Sequence, residues 1–320
     1  MRAARFCTAL LAFSLIATQS AQGQEWPSRT IRLIVPFPPG GSTDLGARLV
    51  GNFLAQSLHT QVVVENRTGA DGNIGMEAAA KSAPDGYTVL VVTDQAASTA
   101  HIFRVSFDPL KTFVPVVQIS RQPVVLAVHP SLGVSTLDEF LALAKRQPGM
   151  SFATSGVGSQ QHMVAEWFAK IVGISLAHVP YRGGGQAITD LVAGHVKVAS
   201  LGSTPLIPHY KAGAVKLLAQ STATRSPSLP DVPTYQEAGI KGLVLAQWLG
   251  VFVPAGTPGA IVERLNAEIN KALAEPSIRD SLLKAAQEPV GGSAAQFDKL
   301  FRDDYDKYAR LVKELNIHVN

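Results

Sequence analysis

Ile31-Arg32-Leu33-Ile34-Val35 is a short β-rich run, broken by Pro36-Phe37-Pro38-Pro39-Gly40-Gly41. Ser42-Thr43-Asp44 follow, heading a stretch with apolar residues at Leu45, Leu49, Val50, Phe53, Leu54 and Leu58. That spacing, behind small polar residues that favour helix starts, predicts a helix over 45–58. A strand over 61–65, a helix over 75–83 and a strand over 88–92 come next. This alternation predicts a parallel sheet with helical crossovers.

The pattern continues with strands over 124–128, 151–154, 176–179, 196–201 and 215–220. Helices are expected over 137–145, over 160–172 and from Gly185 to 193. Residues 224–233 read as loop. A strand returns over 248–253, and helices over 260–275, 278–286 and 294–315 close the chain. A return strand followed by three helices suits a chain that crosses between two lobes twice, near Gln122 and Gln247. The lobes are then 24–122 with 248–320, and 123–247.

Composition agrees with a large folded chain. Of 320 residues, 46% are hydrophobic and 16% charged, against about 25% charged in ordinary soluble domains. Disorder needs the opposite balance. The length allows about two domains. The 27 glycines have no three-residue period, so collagen is excluded too.

Arg2 and Arg5 precede an apolar run over 9–17, and Ser20-Ala21-Gln22-Gly23 follow it. Charged, apolar and small-residue zones in that order read as a cleavable signal peptide over 1–23. Its loss takes Lys and Arg from 28 to 26 against 24 acids, a mature charge of +2. It also removes Cys7, the single cysteine. Disulfides, thiol catalysis and a cysteine metal site are then excluded from the mature chain. A soluble protein of an oxidising compartment is expected. No basic stripe marks a nucleic-acid partner.

Three loops share one chemistry: 37–44, 155–159 and 181–185. Each places glycines or small hydroxyls between a strand and a helix. Glycine admits close backbone approach, and the first amides of a helix lack internal partners. Such ends attract anions without Lys or Arg, each worth about 0.3–2 kcal/mol. No phosphate-binding or dinucleotide fingerprint is present.

Residues 35–44, Val-Pro-Phe-Pro-Pro-Gly-Gly-Ser-Thr-Asp, with Arg48, resemble the opening motif of the Bug-type solute receptors. These are the periplasmic components of tripartite tricarboxylate transporters. Further matches follow in order: Val64-Glu65-Asn66-Arg67-Thr68-Gly69-Ala70 with Gly72-Asn73-Ile74-Gly75, and Pro84-Asp85-Gly86-Tyr87-Thr88. Then come Pro180-Tyr181-Arg182-Gly183-Gly184, Leu229-Pro230-Asp231-Val232-Pro233-Thr234 with Glu237-Ala238-Gly239, Trp248-Leu249-Gly250, and Pro254-Ala255-Gly256-Thr257-Pro258. The series spans nearly the whole mature chain.

The resemblance implies an α/β fold: a two-lobed periplasmic binding protein of type II, with two parallel or mixed sheets flanked by helices and a double-crossing hinge. It implies a small organic acid in the cleft, a membrane transporter or sensor domain as partner, a monomer, and neither cofactor, metal nor catalysis. Carried over, Phe37 and Pro38 would wall the pocket. Gly41, Ser42 and Thr43 would meet the carboxylate. Asp44 would cap the helix or accept a hydrogen bond from the ligand. Ser155, Gly158, Ser159 and His162 would close from the other lobe, beside Tyr181 and Gly183. Asp94-Gln95-Ala96 falls where selectivity varies, which makes Gln95 a further ligand candidate. The chain departs from the pattern at Ile102-Phe103-Arg104, where a Tyr-Lys pair is common, and at Thr112, where Asp is usual.

The rival class is a secreted hydrolase using Ser42 or Ser159. Gly40-Gly41-Ser42-Thr43-Asp44 lacks the final glycine of a nucleophile elbow, and an oriented base is also required. The eight histidines show no metal-ligand spacing. Asp44/Arg48 and Asp303-Asp304/Lys307 have helical spacing and read as pairs on solvated faces.

Overall fold

β1 (Ile31–Val35) pairs in parallel with β2 (Val62–Asn66) and β3 (Thr88–Thr93), with Ile31 opposite Val62 and Arg32 opposite Thr88. α1 (Ser42–Ser57) makes the first crossover and buries Ala47, Val50 and Leu54. Gly51 lets that helix lie close on the sheet, since a Cβ there would sit 3.0 Å from Leu33 Cδ1. α2 (Asn73–Ala80) makes the second crossover. This computed structural model describes residues 26–317. The leader, with Cys7 and the cleavage zone, lies outside the described residues.

α3 (Gln95–Ile102) and the one-turn α4 (Pro109–Thr112) lead into β4 (Phe113–Val128). β4 is a 16-residue strand that belongs to both sheets. Its first part pairs with β9 (Ala246–Pro254), from Phe113 opposite Pro254 to Pro123 opposite Ala246. From Val124 onward it pairs with β7 (Val198–Gly202) and β8 (Lys216–Gln220). β3 is antiparallel to β9, so the first sheet is mixed.

The second sheet adds β5 (Met150–Thr154) and β6 (Leu176–Pro180), parallel to each other. Its helices are α5 (Leu137–Arg146), α6 (Gln160–Val172), α7 (Gly184–Val192) and the short α8 (Ile207–Lys211). A capping box of Thr136 and Glu139 starts α5. The chain returns along β9 to α9 (Gly259–Ala274), α10 (Pro276–Lys284), β10 (Glu288–Gly291) and α11 (Ala294–Glu314).

Five elements differ from the sequence reading: β4, α3, β10 and the short helices α4 and α8. β4 begins at Phe113, whereas only 124–128 reads as strand. Pro115, Gln118 and Ser120 hide its first half, and the β9 register shifts beside Pro115, where a ladder donor is missing. α3 carries small polar residues with little apolar periodicity, and β10 is four residues long with a proline.

α11 joins the lobes. Phe297, Phe301, Asp304, Tyr308 and Leu311 recur at spacings of three and four and are all buried. Phe297 and Phe301 meet Trp248 nearly edge-on, with centroids 5.2 and 6.4 Å away. The same hydrophobic cluster continues to Phe140, Phe152 and Phe168 of the second lobe. Each such ring contributes about 1.5–3 kcal/mol by leaving water. No helix among the described residues is long and apolar enough to cross a membrane.

Candidate functional site

The first loop is braced by Asp44. Its Oδ2 accepts from the Gly40 amide at 3.0 Å and from Arg48 Nε at 2.9 Å. Its Oδ1 accepts from Asn66 Nδ2 at 3.0 Å, which also donates to the Phe37 carbonyl. Burial pushes this carboxyl up, but Arg48, Gly40 and Asn66 together hold it below the usual range. Asp44 is 5% exposed, so the solvated-face reading of Asp44/Arg48 is corrected: the pair locks a turn. Asp304 is likewise buried, at 3% exposed, accepting from Lys307 and from Trp248 Nε1 at 2.8 Å. The apolar face of α11 requires that pairing.

Gly41 is the N-cap of α1 and no side chain caps this helix. The first bond of the α1 ladder runs from Leu45 N to Gly41 O. The amides of Ser42, Thr43 and Asp44 therefore have no acceptor within the helix. The Ser42 hydroxyl accepts from Gln122 Nε2 at 3.3 Å. Thr43 is 4% exposed, and its side chain makes no cap to the helix. Neither residue spends its hydroxyl on capping, contrary to the helix-start reading.

In the second loop, Ser159 caps α6: its Oγ accepts from His162 N at 3.2 Å and donates to Gly156 O at 2.8 Å. His162 Nδ1 accepts from Gly158 N at 3.1 Å, and its ring stacks on His178 at 3.7 Å. Burial and His162 push His178 down to about 3. Ser155 Oγ donates to Gln161 Oε1. The third loop joins the second through Gly183 N to Ser155 O at 3.0 Å. Tyr181 turns its hydroxyl back to Asp190 at 2.7 Å, and burial with Asp190 pushes its phenol up to about 12.

The lobes touch across these loops. A Cβ at Gly158 would lie 2.6 Å from Ile102 Cγ2 at the end of α3. A Cβ at Gly156 would lie 2.9 Å from Asp71 Oδ1, on the loop before α2. Gln95 Nε2 donates to the Asp71 carbonyl. Gly72 approaches the Phe37 ring. Pro38 is exposed on the first loop.

Sequence reasoning marks Gln122 and Gln247 as crossing points but misses the bonds that glutamines make behind the cleft. Gln122 donates to Gln247 Oε1 at 2.6 Å and to Ser42, and accepts from the Thr204 amide at 3.1 Å. One side chain so ties the first loop, β9 and the second lobe. Gln287 donates to Ser42 O at 3.1 Å and accepts from Ser120 at 2.8 Å. A polar residue inside an apolar run is the available signal, but its partner is far along the chain.

Neither hydrolase candidate is activated. Ser42 Oγ faces an amide and Ser159 Oγ a carbonyl and a backbone amide, with no base at either.

Two mixed α/β lobes, with β4 running through both sheets and glycine loops facing each other, have the architecture of a two-lobed solute-binding receptor, the type II periplasmic binding fold. The model of the tripartite tricarboxylate transporter family receptor matches residues 47–317, and the chain belongs to that family. It is 36% identical to Protein BugT of Bordetella pertussis over 293 residues, covering 90% of each chain. A protein of R. palustris solved with adipate is 33% identical, with a TM-score of 0.87 over 92% of this chain and all of that one. MatC of Rhodopseudomonas palustris, solved with malate, is 29% identical, with a TM-score of 0.83 over 90% and 100%. The family and these neighbours are solute-binding receptors rather than enzymes.

Proposed function

We propose that this receptor captures a small organic acid between its lobes, dicarboxylates foremost, and presents it to the membrane subunits of a transporter or to a sensor domain. The carboxylate lies at the head of α1, against the free amides of Ser42 and Thr43 and their hydroxyls. The observation that carries this is the uncapped head of α1, whose first amides have no acceptor within the helix, beside the Ser42 and Thr43 hydroxyls and with Arg48 engaged by Asp44 and Asn66. A helix end contributes about 0.3–2 kcal/mol, so several contacts must converge. The loops 155–159 and 181–185 close from the second lobe through Gly158, Gly183 and the amides at the heads of α6 and α7. Phe37, Pro38, Gln95 and Tyr181 bound the apolar body. The adipate and malate of the structural neighbours support this class of ligand.

The lobes are taken as 24–122 with 248–320, and 123–247. The working form is a periplasmic monomer, exported by residues 1–23 and cleaved before Gln24.

A thermal-shift screen with adipate, malate and other organic acids tests this. A raised Tm with the acid recovered unchanged is expected, the shift shrinking in Ser42→Ala. Steady product formation that disappears in Ser42→Ala would overturn the receptor reading.

A further inference from the structure

Asp94 joins β3 to α3 and is 2% exposed. Its Oδ2 accepts from the Tyr308 hydroxyl at 2.5 Å, and its Oδ1 has no partner. Tyr308 lies on α11, and its oxygen also accepts from Gln160 Nε2 at 2.9 Å. Gln160 opens α6 in the second lobe and gives its other amide hydrogen to Ala246 O in β9 at 3.1 Å. Gln160 Oε1 is also unpartnered. A hydrogen-bonded chain therefore runs from Asp94, beside Gln95, to the residue after Ser159. Each end leaves one buried acceptor, Asp94 Oδ1 and Gln160 Oε1, without a donor.

The surrounding charges do not neutralise a carboxylate there. On α11, Lys307 is bound to Asp304 at 2.7 Å, and Asp304 adds a second negative group. At the far end of α3, burial lowers His101, whose ring lies against Tyr305 at 4.2 Å. β9 offers Trp248, whose indole hydrogen belongs to Asp304. α6 offers neutral Gln160. An unpaired buried charge is costly, and a proton would supply the missing donor. Burial, reinforced by Asp304 and opposed by Tyr308 and Lys307, pushes this carboxyl up to about 7.

We propose that Asp94 is a proton-binding site at the junction of the lobes, and that acid capture is linked to proton uptake there. This rests on the acid-binding reading above. With one carboxylate at the head of α1, the second carboxylate of a dicarboxylate, enclosed between Gln95 and the head of α6, is a further anion in a desolvated site beside Asp94, and two such anions favour the protonated form of one. Retention is tighter below neutral pH and release easier above it.

The sign of the stability effect is fixed. The folded-state value lies above the usual 3.8, so folding takes up a proton between the two values. The stabilisation is complete below about pH 4, declines as pH rises to about 7, and is constant beyond. His178 acts oppositely: its contribution is lost as pH falls below 6.5. The difference between wild type and Asp94→Asn isolates Asp94, since Asn copies the neutral acid without titrating.

The test is Tm across about pH 5 to 8 without ligand, then adipate and malate affinity across the same range. Asp94→Asn should gain on wild type from pH 5 to 7 and hold the gap above. Tyr308→Phe, which keeps the buried ring, should carry the wild-type decline to higher pH. Wild-type affinity should fall several-fold between pH 6 and 8, and Asp94→Asn affinity should stay level. Parallel Tm profiles for wild type and Asp94→Asn overturn the proton site. A widening Tm gap with pH-independent wild-type affinity overturns the linkage. Failure of both acids to bind at any pH counts against the dicarboxylate reading and takes the linkage with it, while the ligand-free Tm gap is read separately.

Discussion

Gly158→Ala is expected to weaken acid binding by roughly thirty-fold, corresponding to about 2 kcal/mol of overpacking at closure. The new methyl would lie 2.6 Å from Ile102 Cγ2 and 2.8 Å from Cδ1, across the junction of the lobes. Contacts that close force one side to move, and Ile102 at the end of α3 is packed against the core. The backbone objects as well. Gly158 has φ +74°, where an L side chain costs about 1–2 kcal/mol. The strain acts on the turn that gives its amide to His162 Nδ1. Titration calorimetry on wild type, Gly158→Ala and Gly158→Ala/Ile102→Ala separates the two causes. The double variant should recover the part due to the clash and keep the part due to φ. Wild-type affinity in the single variant would show that the lobes do not meet at this residue when the ligand is held.

Trp248→Ala should be the largest stability change, about 3–5 kcal/mol by urea unfolding. The ring is 2% exposed and is enclosed edge-on by Phe297 and Phe301. Truncation opens a cavity where β9 meets α11. It also strips Asp304 of the indole donor at 2.8 Å, leaving a buried carboxylate oxygen unpaired. Trp248→Phe separates these effects, because it keeps most of the volume and loses the donor. Its expected cost is about 1–3 kcal/mol. A loss below about 1 kcal/mol in Trp248→Ala would mean that this cluster does not hold α11 to the sheet.

The parts of this molecule that sequence discloses are the local ones. A β-rich run, a proline-glycine break and a helical stripe from Leu45 place β1, the first loop and α1, because each depends on residues within a turn or two. The loops at 155–159 and 181–185 are legible for the same reason. What those loops do with their side chains is not local. Ser159 and His162 carry the right chemistry for ligand contacts, yet their polar atoms build the turn itself. Asp44 looked like half of a surface pair and instead fastens Gly40, Arg48 and Asn66. Its burial depends on Asn66, which arrives on a different strand.

The junction was least visible. Gln122, Gln247 and Gln287 lie up to 245 residues from the groups they bind, and nothing beside them in the chain announces those partners. β4 shows why its own length was hidden: a strand that serves two sheets changes partners midway, and its polar and proline positions match that change rather than a single face. Asp94 falls in sequence only at a strand end where selectivity varies, and the arrival of α11 turns it into a buried acid.

A crystal structure of the acid-bound receptor tests the central claim most directly. The predicted result is a ligand carboxylate against the Ser42 and Thr43 amides and hydroxyls, with loops 155–159 and 181–185 closed over it and Arg48 still bound to Asp44. A carboxylate bridged by Arg48, or an acid seated away from the head of α1, would contradict the account.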